Sequence, residues 1–271
     1  MSRTQVWTDR FSTHSPLFIP PTITSASEPS LLARSTAPVR LLVCQTDQPQ
    51  PEASAGFATA LAAQLGAEMV PISAESTLPP INTSTDLLLY NEPPQSRLTS
   101  WIFGPPACFK AAQWPASLLV VRQPRPALRN ILLISRGQAR DMAAAEWMAR
   151  LAIPAETRVM VLAVQPALSG VDSQALYNDG LTGWLNSQTP LGDQLRKIAR
   201  RLNHSQIDPL LSLTILPGQP HRQIKQAVTA DQPDLIMISA DPANWYERRL
   251  LGELVDPLLR WADRPVLIAK Q

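Results

Sequence analysis

Cysteine is scarce in this chain of 271 residues: Cys44 and Cys108 stand in unrelated contexts, with no CxxC spacing. That excludes a disulfide framework and a structural zinc site, and it predicts reduced thiols. Histidine is nearly as scarce. His14, His204 and His221 are scattered, and none pairs with a second metal-type ligand at helical spacing. An excess of either charge is also lacking: 24 Lys and Arg against 22 Asp and Glu leave +2. A nucleic-acid surface needs basic residues clustered on one face. The densest basic stretch, Arg196-Lys197-Ile198-Ala199-Arg200-Arg201, has instead the spacing of a solvated helix face. No apolar run approaches the ~18 residues of a membrane span. No secretory h-region opens the chain, because Leu17-Phe18-Ile19 is cut off by Pro20-Pro21. A cytoplasmic location is the expectation that these absences leave.

Catalytic constellations are missing as well. Ser135 and Ser239 fall at predicted strand ends, where a nucleophile sits in an α/β sheet, but no G-x-S-x-G elbow surrounds either. His221 reads as a surface residue near a helix N-terminus, and Asp193 and Asp234 as capping or turn residues. The expectation is a protein that is not an enzyme and carries no cofactor and no metal.

What is present is a repeat. Asp86-Leu87-Leu88-Leu89-Tyr90 leads through Pro94 and Gly104 to Leu118-Leu119-Val120-Val121, closed by Arg122. Asp234-Leu235-Ile236-Met237-Ile238 leads through Pro242 and Gly252 to Val266-Leu267-Ile268-Ala269, closed by Lys270, every landmark at an offset of 148. Earlier strands align at 90, Leu41 with Ile131 and Leu42 with Leu132. A tandem duplication follows, with 58 fewer residues in the first copy: about one βα unit and a long connection. Four strands are expected in the first copy and five in the second.

Residues 1–37, rich in Ser, Thr and Pro, sustain no period and read as a flexible tail. A transit peptide shares that composition, but the prolines break any amphipathic helix. A shortened domain is expected over 38–123 and a full one over 128–271. Strands are predicted at 39–44, 67–72, 87–90, 118–121, 131–134, 159–164, 210–216, 235–238 and 266–269. Helices are predicted at 52–65, closed by Gly66, at 98–112, at 139–152, after Thr189-Pro190, from Pro220, and at 245–262. Residues 165–188 read as a long polar connection. Strands with continuous apolar runs alternating with helices mean an α/β fold with parallel sheet covered on both faces. Trp101, Trp147 and Trp261 are expected to cover the sheet. Trp184, Trp245 and Tyr246 fall in loop or helix-start positions open to a partner.

The second half resembles a universal stress protein domain. Ile131-Leu132-Leu133-Ile134-Ser135-Arg136-Gly137 stands at that family's first strand and following Asp-Gly-Ser, and Gly218-Gln219-Pro220 at its G-x-P. Pro233 to Ile238, Arg249-Leu250-Leu251-Gly252 and Arg264 to Ile268 match its remaining signatures in order. The resemblance implies two Rossmann-like domains of the adenine nucleotide alpha-hydrolase type in tandem. Members that bind ATP carry G-x2-G-x9-G-[S/T], whose glycines and helix N-terminus admit phosphate oxygens. Here the spacing reads Ser239-x2-Pro242-x9-Gly252-Glu253, and in the first copy Asn91-x2-Pro94-x9-Gly104-Pro105. The family's adenine-associated Asp is Arg136. Any ligand is expected among Ser135, Arg136, Gly137, Val164, Ser239, Ala240, Asp241, Gly252 and Glu253, with Arg136, Arg248 and Arg249 as sources of positive charge.

In the resembled family the last strand pairs antiparallel with its counterpart in a partner domain. The strands Leu118–Val121 and Val266–Ala269 are therefore expected to pair, within one chain or between two chains as a dimer. The leading expectation is a stress-type regulatory or scaffold protein that associates with protein and holds no ATP in the usual pocket. A second is a sensor binding a nucleotide or other small anion in the second domain. A third, an enzyme of the wider adenine-nucleotide-handling superfamily, lacks the glycine-rich or metal-ligand sequence it would need.

Overall fold

The computed structural model describes residues 38–45, 52–73, 80–92, 114–151, 156–165, 180–204, 211–240 and 254–270. The tail, the predicted helix at 98–112 with Trp101, and residues 241–253 with Trp245, Tyr246, Arg248 and Arg249 lie outside them. The first half runs β1 (Arg40–Gln45), α1 (Glu52–Leu65), β2 (Glu68–Ser73), β3 (Asp86–Asn91) and β4 (Ser117–Val121). The second half opens with β5 (Asn130–Ser135), a 3-10 turn (Ala139–Asp141), α2 (Met142–Arg150) and β6 (Arg158–Gln165). It continues with α3 (Gly180–Asn186), α4 (Pro190–His204), β7 (Leu211–Pro217) and α5 (Pro220–Asp231). It ends with β8 (Leu235–Ser239), α6 (Val255–Trp261) and β9 (Val266–Ala269).

The nine strands of the described residues form one sheet in the order β2-β1-β3-β4-β9-β8-β5-β6-β7. Neighbours are parallel except at β4 and β9, which run antiparallel. β3 and β8 are buried at every position, which is why they read as unbroken apolar runs rather than alternating ones. One core layer holds Leu41, Phe57, Leu61, Leu133, Trp147 and Ile198; the other, across the sheet, holds Leu42, Leu88, Ile134, Val228 and Leu258.

Local signals set the helix ends. Gly66, at φ +57, turns the chain after α1, and Ala67 N donates to Ala62 O at 2.9 Å. Thr189 Oγ1 accepts from Gly192 N at 3.1 Å and caps α4, whose Leu191, Leu195, Ile198 and Leu202 are all buried. The Asp that opens each repeated strand is structural. Asp86, fully buried, accepts from Arg40 Nε at 2.8 Å and from Asn82 N at 2.8 Å. Asp234 accepts from Arg129 N at 2.8 Å, Asn130 N at 2.9 Å and Arg125 Nη1 at 3.0 Å.

Strand registers carry the sequence offsets into space. Leu41 pairs with Leu87 and Ile131 with Leu235; Leu88 pairs with Leu118 and Ile236 with Val266. Arg40 pairs with Glu68 and Asn130 with Arg158, so the offset of 90 spans both strands around the first helix. The extra length of the second half therefore lies between β6 and β8, where α3, α4 and β7 stand.

Of the two arrangements expected for the last strands, the fold has the one within the chain. Leu118 pairs with Ile268, Leu119 with Leu267 and Val120 with Val266. Leu119 and Leu267 are 148 apart, so the register is that of a two-fold axis through one pair. Side chains obey the same operation. Arg122 Nη1 donates to the Ala262 carbonyl at 2.7 Å and to that of Leu259, at the C-terminus of α6, where a cation is favoured. Lys270 Nζ donates to the Trp114 carbonyl, and Trp114 and Ala262 are again 148 apart. Ser117 Oγ ties the junction to α2, accepting from Trp147 Nε1 at 2.8 Å and Lys270 N at 3.0 Å.

Lys270 is 5% exposed, and burial lowers its ammonium to about 8. The unfolded chain keeps that proton up to about 10.4. The burial penalty, about 3 kcal/mol, thus acts in full below pH 8 and fades as pH rises from 8 towards 10.4. Lys270→Met is expected to be the more stable protein at pH 7, with an advantage that is lost by pH 10. Urea unfolding of both chains at the two pH values checks this; a constant difference between them would refute it.

Candidate functional site

The sheet reverses direction of growth between β5 and β8: from β5 the chain winds outward to β6 and β7, while β8 and β9 lie on the other side. Open α/β sheets present their ligand crevice at such a switch point, beyond the carboxyl ends of the strands. Ser135, Arg136 and Gly137 lead out of β5, and Ser239 and Ala240 out of β8, so the structure gathers these five at the crevice. Val164, near the end of β6, is buried in the other core layer, with Ile134 and Ile238. Asp241, Gly252 and Glu253 lie outside the described residues.

Asp141, a residue the sequence reading passed over, organises the loop. It is 1% exposed, and its Oδ2 accepts from Ser135 Oγ at 2.8 Å, Arg136 N at 2.6 Å and Gln138 N at 3.1 Å. A signal was available, since a carboxylate in the first turn of a helix is a capping feature. Gly137 N donates to Ser135 Oγ at 3.2 Å. Gly137 needs to be glycine on two counts. Its φ is +71, and a Cβ there would lie 2.9 Å from Leu191 Cδ1, because the start of α4 closes over the loop.

Arg136 crosses the crevice. Its Nη2 donates to the Ser239 carbonyl at 2.5 Å, and its Nε stands 3.7 Å from Asp141 Oδ1. The side chain is 16% exposed, and burial lowers its pKa against the opposing pull of Asp141. Nε of Arg136 and Oδ1 of Asp141 are both buried without a hydrogen-bond partner. Ser239 Oγ accepts from Ala144 N at 2.9 Å and so caps the start of α2. The Ser135 proton lies on a carboxylate and the Ser239 hydroxyl on a helix amide, so both serines hold backbone in place. Among the described residues no cluster of His, Cys, Asp and Glu could hold a metal ion, and no helix is long and apolar enough to cross a membrane. His221 is exposed on the first turn of α5, as expected.

Two expectations near the site are corrected. Residues 165–188 are not connection throughout, since α3 occupies Gly180–Asn186. Trp184 on α3 is 1% exposed within the core, so it is not a surface for a partner.

No curated protein matches this chain. Solved structures do. One from Pseudomonas aeruginosa, described as a universal stress protein, is 16% identical, with a TM-score of 0.52 over 86% of this chain and 82% of that one. A universal stress protein from Archaeoglobus fulgidus is 11% identical, with a TM-score of 0.50 over 86% of each chain. At such identities the likeness is one of fold. One from Arabidopsis thaliana, solved with AMP bound, covers 52% of this chain and 91% of its own at 16% identity; its TM-score of 0.34 lends no argument about ligands here. The sequence profile of the universal stress protein family matches residues 127–270, over half the chain. With its Rossmann-like sheet and switch-point crevice, this chain belongs to the universal stress protein family.

Proposed function

We propose that this chain is a stress-type regulatory or scaffold protein that works through protein association, built from two copies of one unit and holding no ATP in the family's usual pocket. One observation carries the reading: the Arg136 guanidinium lies across the switch-point crevice, bonded to the Ser239 carbonyl. By the family resemblance, this cation stands at the position of the Asp associated with adenine recognition. The sequence beyond it points the same way. Pro242 has no N–H for a phosphate, and Glu253 sets a carboxylate where a hydroxyl would meet one. A misplaced unit charge at ~4 Å costs roughly 1 to 4 kcal/mol at effective dielectrics from 80 to 20. On this reading the protein is cytoplasmic, is not an enzyme and needs no cofactor.

A second reading, a sensor of a small polar molecule, has one specific support. Arg136 Nε and Asp141 Oδ1 are a buried donor and a buried acceptor that lack hydrogen-bond partners. The two face each other at 3.7 Å, and a nucleotide or other small anion that drew the guanidinium outward would satisfy its donor.

Calorimetry with Mg-ATP and AMP, beside chromatography of nucleotides released from the denatured protein, separates the two. The expected result is no bound nucleotide and no heat. The double variant Pro242→Gly, Glu253→Ser is expected to gain affinity for ATP by at least tenfold. A stoichiometric nucleotide in the native protein would overturn the first reading in favour of the second.

A further inference from the structure

The two ends of the sheet are built differently. β2, the edge of the first half, is blunted: Glu68, Met69 and Pro71 are exposed, and Pro71 has no N–H. A proline in an edge strand keeps that missing donor on the free side. Val161, 90 residues on, has β7 at its outer side, so Pro71 stands where the first half has no strand to bond. β7, the other edge, has none of these devices. It runs for seven residues without a charge, and its only proline is the last, Pro217. Among the described residues it pairs with β6 alone.

Both core layers also reach β7 unfinished. Leu211, Leu213 and Ile215 pack on the layer that holds Trp147, and Leu216 on the other, yet every residue from Leu211 to Leu216 is only half-buried. At β4 and β9, where the layers pass from one half to the other, each strand is buried at every position. That seam is an antiparallel pair about a local two-fold axis. A second β7 would finish the outer edge in the same manner, because this strand is its own complement. A two-fold axis through its middle sets Leu213 and Ile215 of both copies in one apolar row and brings no like charges together. α3, beside β7, carries neither acid nor base, and a net charge of +2 gives two copies little cause to repel.

We propose that β7 pairs antiparallel with β7 of a second copy of this chain, so that two sheets become one. This rests on the reading of the chain as one that works by protein association, and it names the partner as the chain itself. Pairing through β4 and β9 is already used within the chain, which leaves the β7 edge for the second copy.

Sedimentation equilibrium of the full chain should show a dimer that dissociates on dilution. Thr214→Lys, which sets two ammonium groups beside the axis, should weaken it at least tenfold, and Thr214→Glu should do the same. An equimolar mixture of the two variants should dimerise again, which a chain that failed to fold could not do. Met69→Lys, on the β2 edge, should leave the dimer unchanged. Amide exchange of the native chain gives a second measure, needing no variant: Leu211 to Leu216 should exchange more slowly in the dimer than in the diluted monomer. A monomer at every concentration, a dimer indifferent to Thr214→Lys, a dimer broken by Met69→Lys, or β7 amides that ignore dilution would each overturn the proposal. A monomer would still allow association with a different protein, and the reading of the crevice stands or falls separately, on nucleotide calorimetry.

Discussion

Asp141→Ala is expected to be among the most damaging single changes in this protein, at about 3 kcal/mol of stability. The carboxylate is buried and accepts three hydrogen bonds, two of them from backbone amides of the β5 loop. Truncation would leave those donors unpaired and remove the charge that faces Arg136 across 3.7 Å. Asp141→Asn keeps the shape and one acceptor oxygen and should lose roughly half as much. Urea unfolding at neutral pH measures both. A loss for alanine below about 1 kcal/mol would mean that the loop is held by something other than this side chain. Arg136→Ala should cost less, because its head group makes one hydrogen bond, to a single carbonyl.

Trp184→Ala should cost about 3 to 5 kcal/mol, the range for deleting a buried aromatic side chain. Trp184 is 1% exposed and belongs to the same core layer as Trp147, Leu191 and Leu195. Trp184→Phe retains most of the apolar volume and should fall well short of that cost. Thermal unfolding of the two variants decides between burial and a role at the surface. A surface contact would leave the melting temperature in place for both and show itself in binding alone.

Trp184 also marks where sequence reasoning ran out. Periodicity identified α4 because Leu191, Leu195, Ile198, Ala199 and Leu202 fall on one helix face over twelve residues, and Thr189-Pro190 announces its start. α3, with seven residues, is too short to show a period and carries neither acid nor base to mark its ends. The central strands were legible for the opposite reason: burial on both faces makes β3, β4, β8 and β9 unbroken apolar runs. The registers were not readable, but the two halves share one at the offsets of 90 and 148, Leu41 against Leu87 and Ile131 against Leu235. The helix expected over 139–152 begins as a 3-10 turn, Ala139–Asp141, and ends at Arg150. That tightening aims Asp141 back at the loop. At the crevice the residue types were readable and their directions were not. Arg136 was expected to offer charge to a ligand, whereas its guanidinium turns inward to a carbonyl of the next strand. Spacing alone does not say which way a flexible four-atom stem will fold.

Joining the two halves at β4 and β9 frees them from a constraint that identical subunits cannot escape. In a symmetric pair every substitution appears twice, once on each side of the axis, so neither side can specialise. Here the two sides differ. Arg122 keeps a carboxylate companion in Glu92, whereas the position 148 residues later is Ala240. One side of the seam is an ion pair, the other a lysine held against a carbonyl. A single polypeptide also keeps its seam closed at any dilution, since the halves meet at a fixed effective concentration. The first half can therefore be one strand shorter than the second while the sheet runs unbroken through both.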